Sequence, residues 1–189
     1  MCAFRPKISS LIRNRLIDRP TVSFFSTNEA KKIALPLGYT TTYPDFSELA
    51  SLLSTLPGIK QQLSLYKQRF LAGDRICVVC HDGHLAHVSW FGVRKQLDAD
   101  YELGPLRPWL LKHPSGLIYD CWTATQQRGQ GLYPSVVSTL TGMLLRETPE
   151  VWIYCRAENL ASKRGIEKAG FSYRGSLKSW RLFGKFLPW

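Results

Sequence analysis

The sequence predicts an α/β (α+β) fold, a mixed central β-sheet flanked by helices on both faces. Strand-like runs arrive first as hairpins, a β-loop-α-β-α-β succession fills the C-terminal half, and a glycine-bearing turn joins strand to helix within it. With 189 residues, 44% of them apolar, and six tryptophans, the chain suits one domain that buries an ordinary core. No apolar run approaches the roughly 18 residues that a membrane helix needs.

The elements follow in order. Thr21–Phe25 and Tyr39–Tyr43 read as the first strands, punctuated by Pro20, Pro36 and Pro44. Asp45 or Ser47 caps a helix through Ser54 whose Leu49, Leu52, Leu53 and Leu56 make one apolar face. Pro57-Gly58 breaks it, and Ile59–Phe70 resumes the period with Leu63, Tyr66 and Phe70. Arg75–His81 and His84–Val93 pair about the turn Asp82-Gly83. Gln96–Pro114 reads as a loop, long enough to shape a substrate mouth. Leu117–Thr123 is the central strand. After the glycine turn comes a helix over Tyr133–Arg146, with Tyr133, Val136, Val137, Leu140 and Leu144 inward and Pro134 tolerated in its first turn. Val151–Cys155 is a strand, Asn159 caps and Gly170 ends a short helix, and Ser172–Phe186 is expected to form a final strand pair.

The turn Gln126-Gln127-Arg128-Gly129-Gln130-Gly131 carries the chemistry. Two glycines one residue apart permit backbone conformations that a Cβ forbids, so successive N–H groups can face one concavity at a helix start. The helix dipole and Arg128 add positive charge there, which suits a pyrophosphate. No lysine followed by Ser or Thr comes after the second glycine, as the nucleoside-triphosphate loop requires, and Leu132-Tyr133-Pro134 replaces the third glycine of a dinucleotide fingerprint. What remains is Q-x-x-G-x-G. With the downstream Asn159-Leu160-Ala161-Ser162 and Glu167-Lys168-Ala169-Gly170-Phe171, it resembles the paired signatures of the GNAT acyl-CoA acyltransferase superfamily, from about Leu117 to Phe171.

That resemblance implies a GNAT-like sheet whose two central strands diverge, acyl-CoA entering from one side and the acceptor from the other. It implies a basic extension over residues 1–38 packed on an acyltransferase domain over 39–189. It also implies a cofactor site of Cys121, Trp122, Thr123, Gln126, Gln127, Arg128, Gly129, Gln130, Gly131, Asn159 and Ser162, with the thioester carbonyl beside the backbone of Cys121–Thr123. The family's tyrosine, acid to the leaving sulfur, falls at Ile166 and is absent. Tyr119, Tyr154, Tyr173 or water is left to take its place. Asp120 is the one acid in the central strand and the candidate general base; a carboxylate paired with a nearby arginine is the alternative.

The expected donor is acetyl-CoA and the expected acceptor a small molecule. The aromatic stretches Tyr101–Trp109 and Trp180–Trp189 favour an amino sugar over a protein amine, and a non-catalytic CoA-binding module is a further alternative. A net charge of +11 asks for anionic company, part of which CoA phosphates supply; no aromatic-basic motif points to nucleic acid. Arg5, Lys7, Arg13, Arg15 and Arg19, with Ile8, Leu11, Ile12 and Leu16, form a basic amphipathic stretch read as a packed helix, with peripheral contact to an anionic membrane as the alternative. Lacking an uninterrupted apolar core there, the chain is expected in the cytoplasm. Cys77-Val78-Val79-Cys80-His81, near His84 and His87, matches C-x-x-C-H, yet residues three apart in a strand face opposite ways. No metal and no haem are expected.

Overall fold

The computed structural model describes residues 17–18, 20–53, 59–97, 109–179, 181–182 and 185–186. The strands are β1 (Ile17–Asp18), β2 (Thr21–Thr27), β3 (Tyr39–Thr42), β4 (Arg75–His81), β5 (His84–Leu97), β6 (Trp109–Thr123), β7 (Val151–Arg156), β8 (Ser172–Lys178), β9 (Arg181–Leu182) and β10 (Lys185–Phe186). The helices are α1 (Phe46–Leu53), α2 (Ile59–Leu71), α3 (Leu132–Leu144) and α4 (Leu160–Lys168). Seven strands make one sheet in the order β3-β4-β5-β6-β7-β2-β8, parallel only between β6 and β7; β1, β9 and β10 make a small second sheet.

Alternation along the strands sorts the core into two faces. From β4, Cys77 and Val79 turn toward one side, where Phe25, Phe91, Ile118 and Ile153 meet Val136, Val137, Leu140 and Leu144 of α3 and Ile166 of α4. Ile76 and Val78 turn the other way, toward Leu49 of α1 and Tyr66 and Phe70 of α2, with Trp90 between them. Beside this second cluster, Val22, Phe24, Leu117 and Trp152 cover the remaining sheet. The α1 start is a capping box: the Asp45 carboxylate accepts from Glu48 N at 2.8 Å, and the Glu48 carboxylate accepts from Asp45 N at 2.9 Å.

Two expectations are corrected. Gln96–Pro114 is not a loop throughout, because β5 runs to Leu97 and β6 starts at Trp109, their pairs Gln96–Leu110 and Leu97–Trp109 lying beyond a register shift. Pro114 lies within that shift, where its missing N–H breaks no ladder. Ser172–Phe186 is not one strand pair: β8 joins the main sheet, while β9 and β10 form a hairpin in the small one. Thr21–Thr27, which falls within residues 1–38, lies inside the main sheet between β7 and β8. Residues 1–16 of the basic stretch, residues 54–58 and residues 98–108 lie outside the described residues.

Close contact sets the seat of α3. A Cβ added at Gly116 of β6 would come within 2.9 Å of Leu144 Cβ and 3.1 Å of Val151 Cγ2. Gly116→Ala is therefore expected to lower unfolding free energy by about 1–3 kcal/mol, the usual cost of overpacking, read by urea denaturation. An unchanged midpoint would contradict this packing.

Candidate functional site

The parallel pairing of β6 with β7 covers only Gly116–Val151, Leu117–Trp152 and Ile118–Ile153. β6 continues to Thr123 and β7 to Arg156, so past Ile118 the two strands part and turn backbone groups toward a gap. On its other edge β6 stays paired with β5 but bulges, Asp120 and Cys121 together opposing Ser89 between the pairs Trp90–Tyr119 and Val88–Trp122. Asp120, the first bulge residue, has φ 48°, the left-handed conformation that one class of bulge uses. The bulge breaks the alternation of faces. Tyr119 and Asp120 both reach the α2 side, while Cys121 joins the α3 side.

On the α2 side, Arg69 donates to the Asp120 carboxylate at 2.7 Å, with its guanidinium carbon 4.9 Å from the Trp90 ring centroid and 5.0 Å from that of Tyr119. Asp120 itself is 55% exposed, so the strand does not bury its acid as its apolar neighbours suggested. Deeper in, the buried Asp74 pairs with Arg94 and accepts the Tyr119 hydroxyl at 2.6 Å; burial, and after it this bond, raises the Tyr119 phenol pKa. Gly92 makes room for that carboxylate, since a Cβ there would meet Asp74 Oδ1.

At the end of β6, Thr125–Gln127 forms a single 3₁₀ turn and the chain passes through Gly129 at φ 81° and Gly131 at φ 78° into α3. Gly131 is the N-cap, and no side chain caps the helix start. A Cβ at either glycine would meet nothing within 4 Å, so the space beside them is open, and the glycines are required by backbone conformation rather than by crowding. Such a start offers N–H groups and dipole to an anion, and the residues present fit a pyrophosphate. Arg128 Nε donates to Thr123 O at 3.1 Å, tying the loop to the strand end.

Beneath the loop lies His87, fully buried on β5. Its Nδ1 lies 2.8 Å from Thr123 Oγ1 and its Nε2 lies 2.7 Å from Ser89 Oγ. Burial pushes its pKa from 6.5 down to about 4, so the ring is neutral near pH 7. Cys121 is pushed up to about 12 by burial, which leaves no thiolate for covalent chemistry. The α3–α4 contact closes the site: the Tyr133 and Ser162 hydroxyls lie 3.2 Å apart, and a Cβ at Gly165 would be 2.5 Å from the Tyr133 ring. Asn159 caps α4 by accepting from Ser162 N at 3.0 Å.

The expected site residues thus fall in three groups. Cys121, Trp122 and Thr123 end β6 at the gap, Gln126 to Gly131 form the loop, and Asn159 and Ser162 open α4. Gln127 and Gln130 turn their side chains to Tyr39 rather than inward, and Gln126 O accepts from Gln130 Nε2 at 3.4 Å. Ile166 is wholly buried, so the family's tyrosine place is core here. Tyr119 spends its proton on Asp74, Tyr173 pairs with Ser176 at 2.9 Å on the edge strand, and Tyr154 lies on β7 with its ring 5.8 Å from Phe24. Cys77 is buried, Cys80 half-buried and His84 exposed; among the described residues no group of three or more His, Cys, Asp or Glu could hold a metal ion. No helix among them is long and apolar enough to cross a membrane. Sequence reasoning missed Arg69, Tyr39 and the structural use of His87. For His87 a signal existed in the polar His87-x-Ser89 pair on one face of an otherwise apolar strand. For Arg69 and Tyr39 nothing local marked them.

His87 gives a pH test. Between pH 6.5 and about 4 the unfolded chain binds a proton that the folded chain refuses, so stability is full above pH 6.5 and is lost as pH falls through this window. The wild-type advantage over His87→Leu in unfolding free energy is expected to shrink from pH 7 to pH 4, by up to about 3 kcal/mol at about 1.4 kcal/mol per pKa unit. Parallel pH profiles of the two proteins would contradict a buried neutral ring.

Comparison with known proteins now bears on this geometry. A family model described as FR47-like protein matches residues 97–181, just under half of the chain. No curated protein matches by sequence. Among solved structures, a Drosophila protein aligns at TM-score 0.58 and 13% identity over 89% of this chain and 52% of its own. An acetyltransferase of the GNAT family from Colwellia psychrerythraea aligns at 0.57 and 13% over 88% and 56%. The aminoglycoside antibiotic 6'-N-acetyltransferase of Acinetobacter baumannii aligns at 0.52 and 14% over 71% and 91%. The chain therefore spans little more than half the length of the first two. Its mixed sheet, with the central parallel pair opening beside a glycine loop, is the fold of the GNAT acetyltransferases, and its C-terminal half carries the FR47-like, GNAT-related pattern.

Proposed function

We propose that the chain is an acyl-CoA-dependent N- or O-acyltransferase, acetyl-CoA being the expected donor and a small amine or sugar-type molecule the acceptor. One observation carries the reading: the gap between β6 and β7 opens directly onto the Gly129–Gly131 loop and the uncapped start of α3. Backbone N–H groups there bind a pyrophosphate, and those at the end of β6 that turn away from β5 face the position of a developing oxyanion. The thioester supplies the acyl group and a leaving thiolate. The acceptor, entering from the α2 side, attacks directly, because the Cys121 thiol, pushed up to about 12, supplies no thiolate nucleophile. Asp120 takes its proton, with Arg69 fixing the carboxylate. The leaving thiolate departs with a proton from water, since Ile166 supplies none.

An amino sugar is the favoured acceptor class. The half-buried Tyr119 ring lies on the α2 side next to Asp120, and one structure of similar fold is named as an aminoglycoside antibiotic 6'-N-acetyltransferase. A protein amine is the alternative acceptor. The Arg69–Asp120 ion pair favours a second reading, in which Asp120 is a structural partner and the chain a CoA-binding regulatory module.

Acetyl-CoA is expected to raise the melting temperature of the wild type, and Gly129→Val or Gly131→Val to abolish that rise, because each forces a β-branched residue into the left-handed region. A full rise in both variants would remove the loop from the site. Thiol release across a panel of amine and sugar acceptors then locates the substrate. With that acceptor, Asp120→Asn is expected to keep acetyl-CoA affinity and lose about 10²–10⁴-fold in turnover. Near-wild-type turnover would end the proton-transfer role, and a joint fall in melting temperature, binding and turnover would support the structural reading.

A further inference from the structure

The segment before β3 holds both the cofactor loop and the helix that follows it. Residues 31–33 lie along α3, docked by two buried serines: Ser138 Oγ donates to Lys31 O and accepts from Ile33 N at 3.2 Å, and Ser135 Oγ donates to Ile33 O at 3.2 Å. Leu35 then packs on the α3-side core, and Gly38 turns the chain at φ 84° into β3, where a Cβ would lie 3.1 Å from the His81 ring. Tyr39 follows. Its ring lies 4.6 Å from that of His81, its partner across the ladder, so the phenol is braced from the side. Its hydroxyl donates to Gln127 Oε1 and, at 2.8 Å, to Gln130 Oε1. Those glutamines flank Arg128-Gly129. One hydroxyl proton is shared between two carbonyl oxygens on either side of the glycine turn.

We propose that Tyr39 is a positioning residue of the cofactor site, its hydroxyl clasping Gln127 and Gln130 so that Gly129–Gly131 presents its N–H groups to a pyrophosphate. This rests on the acyl-CoA reading above. A loop with two residues in the left-handed region has many competing conformations when free, and each must be given up on binding. The clasp gives them up beforehand. It also explains why the Gln127 and Gln130 side chains face away from the concavity: they are structural ties, and the anion contacts come from backbone.

The test is isothermal titration of the full chain with acetyl-CoA, with melting temperatures recorded alongside. Tyr39→Phe removes the hydroxyl and keeps the ring against His81. It is expected to raise the dissociation constant about three- to tenfold, the scale of one hydrogen bond, with little change in melting temperature. In a Gln127→Ala/Gln130→Ala background the same substitution is expected to have no further effect, because the tie is already cut. Tyr39→Leu, which also removes the ring, is expected to weaken binding and lower the melting temperature together. Wild-type binding with an unchanged constant for Tyr39→Phe, or a full effect in the double-alanine background, overturns the clasp alone. Absence of wild-type binding overturns the acyl-CoA reading and the clasp with it.

Discussion

The bulge at Asp120–Cys121 is the constraint on which the rest of the site depends. Inserting one extra residue opposite Ser89 reverses the facing of every side chain after it, and the backbone groups of β6 follow. The strand holds its ladder to β5 while its ladder to β7 ends at Ile118. Past Ile118 no ladder pair joins β6 to β7, and it is there that the acyl-CoA reading puts its ligand. The same bulge delivers Asp120 to Arg69 on one face and Cys121 to the α3-side core on the other.

Around that gap the fold is rigid where the chemistry needs shape. Gly116 seats α3 against β6, Gly165 lets the Tyr133 ring lie on α4, and His87 with Ser89 fixes Thr123 at the strand end. Thr123 in turn holds Arg128 through its carbonyl. The loop is thus tied from below by β5 and β6 and from the flank by Tyr39, while the space beside its glycines stays open. The N-terminal strand β2, antiparallel to both β7 and β8, ties the far side of the gap to the sheet edge.

Much of this was legible in the sequence because it is local. Strand alternation, the Asp82-Gly83 turn, the capping residues Asp45 and Asn159, and the left-handed glycines at 129 and 131 each act through neighbours a few residues away. What was not legible is non-local. Nothing near Thr21–Thr27 says that it will pair with β7 and β8, well over half the chain away, and nothing near Arg69 or Tyr39 announces Asp120 or the glutamines. Asp120 misled for a related reason. Its apolar neighbours implied burial, but a bulge carries no reliable side-chain signature, and here it turned the acid outward. Pro114 misled likewise, since a register shift absorbs the missing donor that argued for a loop.

The central claim is that the β6–β7 gap and the glycine loop are one acyl-CoA site. Hydrogen exchange of backbone amides with and without acetyl-CoA tests it most directly, because the contacts proposed are made by N–H groups. The account predicts slower exchange confined to residues 121–123 and 129–133, with β3, β4 and α1 unchanged. No protection at either segment, or protection at one without the other, would contradict it.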